Sequence, residues 1–281
     1  MLYEKLHRLE FISNKLHKWI LKMKSIYSCS VCAREALEKR IPDFSNAYMV
    51  RIPDDGVMKL TCNRGHSTAV IIQQEKFEIL STMAIKAIVD GYYRDAVASF
   101  ASCLERLHEF FVKVVCKRKG INDEELSSSW KEMSNQSERQ LGAFIGIHLI
   151  ETGKRPLLLH QNQVKFRNSV IHKGKFPERD ETIKFGDSVL NCALPILRIL
   201  KSQPYSSALG QLTMESVCKR ASAERQKGLE TATMAMPTFL CFCTADEPSS
   251  VENAVANYAK QPDYEDYVKK MQAFSRIYVP G

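Results

Sequence analysis

The spacing of apolar residues predicts two kinds of structure along this chain. After residue 75, apolar residues recur every three or four positions over long stretches, which is the pattern of helices that bury one face. We expect such helices over residues 77–88, 94–117, 138–151 and 178–201. Before residue 75, short strand-like runs alternate with turn residues. The pattern therefore predicts a mainly α-helical protein with a small β module ahead of the helices.

The same patterns divide the chain into three parts. We predict a basic amphipathic helix and the β module over residues 1–75, a helical bundle over 76–205 and a C-terminal extension over 206–281. In the extension, helical spacing covers residues 212–226, 254–259 and 264–274, and a strand-like alternation covers 238–243. We expect the extension to be α or α/β, and its residues suggest no function. Residues 121–137 are polar and rich in serine, which predicts an exposed connection inside the bundle.

Two pairs of metal-binding residue types lie in the β module. Cys29 and Cys32 form a Cys-x2-Cys pair, and Cys62 and His66 form a Cys-x3-His pair. Each pair fits on one tight turn, and the two pairs together offer the four ligands of a tetrahedral zinc ion. Because four protein ligands leave no open coordination position, we expect this zinc to be structural. Four unrelated buried residues are the alternative.

Strand-like runs connect the two pairs. They cover residues 47–52 and 57–61, joined by a turn at 53–56 (Pro-Asp-Asp-Gly), and a third run covers 67–73. A sheet this small has little apolar core, so its folding energy would come from the metal. We therefore expect a zinc-ribbon-like module built of hairpins.

Composition narrows the classes of partner and compartment. The chain has 40 Lys and Arg against 32 Asp and Glu, a formal charge of +8, which suits an anionic partner such as RNA or a basic surface in water. Nine cysteines without a signal peptide suggest a reducing, cytoplasmic environment. No apolar run reaches the ~20 residues of a membrane-spanning helix, and we expect no membrane association.

A dense group of polar residues lies where one helix of the bundle ends. Arg167, Asn168 and His172 precede Gly174, and glycine is a residue type that commonly ends a helix. On an ideal helix, the side chains of Arg167 and His172 leave the axis about 140° apart. We expect the last turn to loosen so that both side chains meet in a cleft beyond the helix end.

These residues resemble the active-site motif of the HEPN superfamily, an arginine followed by four to six residues and a histidine, often with a polar residue after the arginine. The order of helices over roughly residues 75–203 is also similar to a HEPN bundle, and residues 91–106 resemble its second helix in a bacterial branch. In that helix, Glu105 is a candidate partner for Arg167. A second pair, Arg155 and His160, is set aside because a proline follows its arginine and its spacer is apolar.

The resemblance implies a metal-independent endoribonuclease acting in phage defence or a toxin system. It implies that Arg167, Asn168 and His172 are catalytic, with Glu105 in support, and that two copies of the motif meet in a homodimer. RNA supplies its own nucleophile, the 2′-hydroxyl, and the expected product carries a 2′,3′-cyclic phosphate. The residue types suit this reaction, because histidine exchanges protons near neutral pH and arginine keeps its charge beside phosphate.

Two alternatives stay open. The bundle can instead be a non-catalytic module that binds RNA, a nucleotide or a protein partner, with the zinc module and the extension as docking surfaces. A toxin would also have a neutralising or activating partner protein, which one sequence does not reveal. Incubation with labelled RNA in EDTA separates the binding module from the enzyme, because only the enzyme leaves cyclic phosphate ends.

Overall fold

The structure is a computed structural model that describes residues 24–38, 47–133, 136–261 and 269–270. The chain forms two compact units, which we call the β unit (1–71, 223–232 and 263–281) and the helical unit (72–222 and 233–262). Most described residues are helical, and the predicted fold class, mainly α with a small β module, is confirmed. The basic helix predicted up to residue 23 lies outside the described residues. So does the helix predicted over 264–274, apart from residues 269–270.

Among the described residues, five strands and one helix belong wholly or mainly to the β unit. Their bounds are β1 Lys24–Ser28, α1 Ser30–Glu38, β2 Ala47–Arg51, β3 Val57–Thr61, β4 Ser67–Ile72 and β5 Glu230–Met234. Strand β1 pairs antiparallel with β2, and β3 pairs antiparallel with β4, whose other edge is taken by β5. The larger sheet therefore contains a strand from a distant part of the sequence.

The turn predicted at residues 53–56 is present, but it does not close a hairpin. The Gly56 amide donates to the Pro53 carbonyl at 3.0 Å, and Gly56 has a φ of +66°, which glycine adopts without strain. Strand β2 pairs with β1 rather than with β3, so the turn connects two separate sheets. The hairpin expected here is wrong: β2 pairs with β1, a strand that the residue pattern did not reveal, and β3 pairs with β4.

Eight helices are described in the rest of the chain. Their bounds are α2 Lys76–Val89, α3 Tyr93–Arg118, α4 Asp123–Met133, α5 Ser137–Thr152, α6 Gln161–His172, α7 Arg179–Lys201, α8 Ser206–Arg225 and α9 Val251–Ala259. The helices predicted from apolar spacing agree with α2, α3, α5 and α7 to within about two residues at each end, as expected for frayed termini. None of the described helices is long and apolar enough to cross a membrane.

Helix α3 is the centre of the helical unit, because its apolar stripe supplies residues to two buried clusters. Leu107 and Phe111 lie in one cluster, whose other members include residues of α2, α5 and α7. Val97 and Phe100 lie in the second cluster, which also contains Val170 of α6. Burying each large side chain stabilises the fold by roughly 1.5–3 kcal/mol. The buried Val170 therefore fixes α6 against the helices that surround α3.

Helix α4 occupies a region that the sequence predicted to be an exposed connection. The Asn122 side-chain oxygen accepts the Glu124 amide at 2.7 Å, and three acidic residues fill the first turn, which suits the positive end of a helix. Leu126 and Trp130, four positions apart, pack partly buried against the core. The predicted connection is wrong because these two residues are enough to attach one face of a short helix.

Residues 238–243, predicted as a strand, form an irregular segment along α2. The amides of Phe239, Leu240 and Phe242 donate to the side chains of Thr82, Ser81 and Glu78 at 2.9–3.0 Å. These bonds replace the backbone hydrogen bonds that a paired strand would form. They also give hydrogen-bond partners to the polar side chains that α2 buries. The prediction of a strand fails because the partner of this segment is a row of helix side chains.

Candidate functional site

The four predicted metal ligands come from two local structures of the β unit. Cys29 precedes α1, and Cys32 lies in its first turn. Cys62 and His66 flank the tight connection between β3 and β4, where the Cys62 amide donates to the His66 carbonyl at 3.0 Å. Gly65 allows this turn by adopting a φ of +82°. Each pair is thus positioned by its own short segment.

The structure brings these four side chains together. Their ligand atoms all lie within 4.8 Å of one another, and the three cysteines are buried. Cys32 Sγ lies 3.3 Å from His66 Nδ1 and 3.8 Å from Cys62 Sγ. The edge of a zinc tetrahedron with sulfur ligands is also about 3.8 Å, from a zinc–sulfur distance of about 2.3 Å. The donor set and its spacing therefore fit a metal ion.

Electrostatics around this cluster also favour a cation. Burial, together with hydrogen bonds and charge from Cys29 and Cys62, raises the pKa of Cys32 to about 12. A charged sulfur at Cys32 would lie close to other sulfurs in a buried position, and a bound cation removes that penalty. In the part of the chain that the structure describes, no other group of three or more His, Cys, Asp or Glu residues is placed to hold a metal.

The other candidate residues lie on α6 of the helical unit. The helix begins after His160, whose Nδ1 accepts the Asn162 amide at 3.2 Å as an N-terminal cap. It continues through His172, and Gly174 then adopts a φ of +72°. The amide of the following residue, Lys175, donates to the Ser169 carbonyl at 3.0 Å and closes the helix end.

Arg167 is held by two side chains. Its Nη2 lies 3.2 Å from Glu105 Oε1 on α3, and its Nη1 donates to Asn168 Oδ1 at 3.1 Å. The Arg167 side chain is 25% exposed and that of Glu105 is 38% exposed, so this ion pair adds at most about 1 kcal/mol to stability. Its main effect is to orient the guanidinium, whose other N–H donors form no hydrogen bond with the described residues and suit an anion.

His172 is exposed at the last position of α6. Its side chain forms no hydrogen bond or ion pair with any residue that the structure describes. Since the helix is regular through His172, the side chains of Arg167 and His172 leave it about 140° apart. The structure therefore brings together Glu105, Arg167 and Asn168, and among the described residues it shows no hydrogen bond between these side chains and His172.

A basic stretch surrounds these residues. Between residues 154 and 177 the chain contains six Lys or Arg residues and no Asp or Glu. The same stretch contains Phe176, which the sequence analysis did not single out and which is 85% exposed. The signal that could have identified it is an aromatic residue between Lys175 and Pro177, in a connection too short to bury it.

No protein-family model matches the chain, and comparisons with curated proteins and with solved structures found no match. The similarity to the HEPN superfamily therefore depends on the residues described above, and the roles of those residues are a matter for proposal.

Proposed function

We propose that this chain is a metal-independent endoribonuclease of the HEPN type. The observation that carries the proposal is the arrangement on α6. Arg167 is oriented by Glu105 and Asn168 at 3.1–3.2 Å, and the same helix carries the exposed His172. Both lie within a stretch of six basic and no acidic residues. Such a surface attracts a polyanion and supplies the two groups that phosphodiester cleavage needs.

The proposed reaction is transfer within the RNA strand. A histidine takes the proton of a ribose 2′-hydroxyl, and the oxygen attacks the adjacent phosphorus. The bond from phosphorus to the 5′-oxygen breaks, and a separate group that acts as an acid protonates that oxygen. The products are a 2′,3′-cyclic phosphate and a 5′-hydroxyl. Arg167 binds the phosphate oxygens through its fork of donors and stabilises the charge that grows on them.

We propose that a second copy of the chain completes the site. Arg167 and His172 leave a regular helix about 140° apart, and a second copy of the motif would place further donors around the phosphate. Exposed apolar side chains lie on α5 and in the following loop, among them Leu149, Ile150, Leu157 and Leu158. Exposed apolar residues of this kind are candidates for a dimer surface, because they are stabilised when a partner covers them.

In the β unit, we propose that Cys29, Cys32, Cys62 and His66 hold a structural zinc ion. Four protein ligands leave no position for substrate or water, so the ion would stabilise the unit and take no part in the cleavage. The proposed cleavage therefore needs no added divalent metal.

The function is tested by incubating the full-length protein with end-labelled RNA in EDTA. The incubation is kept short, and metal analysis afterwards confirms that bound zinc has been retained. We expect fragments with 2′,3′-cyclic phosphate and 5′-hydroxyl ends. Changing His172→Ala should slow cleavage at least about 100-fold, the usual contribution of a proton-transfer group. Circular dichroism should be unchanged because the His172 side chain is exposed.

The matched control is His160→Asn at the other end of the same helix. Asparagine keeps the capping acceptor, so this variant should cleave RNA at the parent rate. Equal cleavage by His172→Ala and the parent overturns the assignment of His172. A parent protein that binds RNA but leaves no cyclic phosphate ends supports the non-catalytic binding module instead.

A further inference from the structure

The connection between α6 and α7 is held in place on both sides of one exposed aromatic residue. On one side, the Lys175 amide donates to the Ser169 carbonyl at 3.0 Å. On the other side, Pro177 is buried. Phe176 lies between these two anchors, and yet 85% of it faces solvent. The backbone therefore presents this ring outward in a defined place.

The Lys175 side chain adds a second anchor. Its Nζ donates to Glu181 Oε1 at 2.5 Å and lies 5.0 Å from the centre of the Phe166 ring. Phe166 in turn packs against the second buried cluster of the helical unit. Lys175 is thus tied to α6 and α7, which restricts the neighbouring Phe176 and lowers the entropy lost when a ligand binds there.

Charge indicates what kind of ligand would cover this ring. The exposed Lys173 precedes Phe176, and all acidic residues are absent from 154 to 177. The nearest carboxylates in sequence lie in the first turn of α7 and before it, at Glu178, Asp180 and Glu181. Lys175 already pairs with Glu181, and the Glu181 carboxylate also accepts the Glu178 amide at 3.0 Å. A ring presented beside exposed cations is the arrangement of nucleic-acid stacking platforms.

We propose that Phe176 stacks on an unpaired base of a single-stranded RNA bound along this basic stretch. The inference depends on the proposed function only in taking RNA as the ligand. Phe176 follows His172 by four residues, so the base would lie beside the phosphate that the histidine serves. Bases in a duplex are already stacked on their neighbours, which is why the platform selects unpaired RNA.

The test measures binding to a short, fluorescein-labelled 2′-O-methyl oligonucleotide rich in uridine. This probe keeps the ribose and base but lacks the free 2′-hydroxyl, so binding is measured without cleavage. Changing Phe176→Leu keeps an apolar side chain and removes the aromatic face, and we expect the affinity to fall at least about fivefold. Phe176→Trp should keep the parent affinity, and its added tryptophan emission should be quenched by the probe.

Met214→Ala is the control, because Met214 is also apolar and exposed but lies on α8, outside the basic stretch. It should bind the probe as the parent does. With the probe annealed to its complement, the parent and Phe176→Leu should bind equally. Unchanged binding of the single strand by Phe176→Leu overturns the inference. So does a change in the sedimentation of Phe176→Leu alone, since the ring would then contact protein.

Failure of this inference is distinguishable from failure of the proposed function. A parent that cuts unmodified RNA, with a Phe176→Leu variant that binds the probe normally, rejects the stacking role and leaves the nuclease intact. A parent that does not cut RNA, with a Phe176→Leu variant of reduced affinity, rejects the nuclease and leaves the stacking role intact.

Discussion

The two units of this protein differ in the side chains that form their buried clusters. In the helical unit, the two buried clusters are built from large apolar side chains such as Phe77, Phe111 and Phe185. In the β unit, apolar strand residues such as Met58 and Ile71 are buried, but a separate cluster is built from the sulfurs of Cys29, Cys32 and Cys62, with only partly buried apolar neighbours. Hydrophobic burial dominates the helical unit, whereas the cysteine cluster has little apolar area of its own and would gain stability from a bound ion.

The units also differ in how polar groups are buried. In the helical unit, Glu78 is 3% exposed, and its two oxygens accept the amides of Glu75 at 2.9 Å and Phe242 at 3.0 Å. Burial raises the pKa of Glu78, and these hydrogen bonds oppose that rise. In the β unit, the buried thiols lie beside one another, His66 and Arg64, whose Nη1 donates to Cys32 Sγ at 3.7 Å. The comparison predicts that the stability of the two units responds differently to loss of metal, to pH and to overpacking.

The largest expected effect is loss of the β unit when a metal ligand is removed. The Cys32→Ser variant should lose bound metal and the hydrogen-exchange protection of β1 to β4. It should keep the helical signal in circular dichroism, because the buried clusters of the helical unit contain none of the four metal ligands. Structural zinc contributes on the order of 10 kcal/mol in small zinc-dependent folds, more than such a sheet supplies by itself.

Cys218→Ser is the control for this experiment, since Cys218 is an exposed cysteine on α8. It should retain the metal content and exchange protection of the parent. Cys32→Ser could instead lose its metal while β1 to β4 keep their hydrogen-exchange protection. The apolar residues of the strands would then be sufficient to fold the β unit, and the proposed difference between the two units would be wrong.

A smaller effect is expected from acid, and it should be confined to the helical unit. His108 stacks on Phe144 with ring centres 4.0 Å apart, and its Nε2 has no hydrogen-bond partner among the described residues. Burial, and then the charge of His148, lower the pKa of His108 from 6.5 to about 3. The unfolded chain therefore binds one more proton below pH 6.5, and stability falls as the pH decreases.

The measurement is the free energy of unfolding by urea between pH 7 and pH 4. At 1.36 kcal/mol per pH unit, His108 should account for a loss of about 3 kcal/mol by pH 4. His108→Leu removes the titrating ring, and its stability should decline less over the same range by about that amount. Parallel pH profiles for His108→Leu and the parent would mean that His108 ionises freely in the folded protein.

The smallest effects test the packing around α3. A Cβ atom added at Gly186 on α7 would lie 2.7 Å from Phe100 Cε2 and 3.0 Å from Val251 Cγ2. Gly186→Ala should therefore destabilise the helical unit by about 1–3 kcal/mol. At Gly146 on α5, an added Cβ meets no atom within 4 Å, so Gly146→Ala should stabilise by about 0.5–1 kcal/mol. Thermal unfolding shows whether each variant is more or less stable than the parent. Stability changes of the same sign in both variants would contradict the packing described for Gly186.

Features with local causes were predictable from the sequence. The cysteine and histidine pairs each lie on one short segment, and the amphipathic spacing of α3 extends over 26 residues, Tyr93–Arg118. The pairing of Glu105 with Arg167 was anticipated only through the family resemblance, because 62 residues separate the two in sequence. Spacing alone does not specify which helix faces which.

Features whose partners are distant were missed. The segment at residues 238–243 alternates like a strand, but Ser81 and Thr82, about 160 residues earlier, accept its amides. Strand β5 has no apolar alternation, since it reads Glu-Thr-Ala-Thr-Met and depends on β4 for its hydrogen bonds. Such elements are defined by the edge or face that receives them, which a local pattern does not contain.

The position of β5 has a practical consequence for expressing the candidate metal-binding region by itself. A fragment that stops at residue 75 retains all four metal ligands but lacks residues 230–234, and the outer side of β4 is then left without its neighbour. Unpaired amides and carbonyls along an apolar strand recruit other chains. Such a fragment should aggregate even when saturated with zinc, and fusing the β5 peptide to it should restore a monodisperse product.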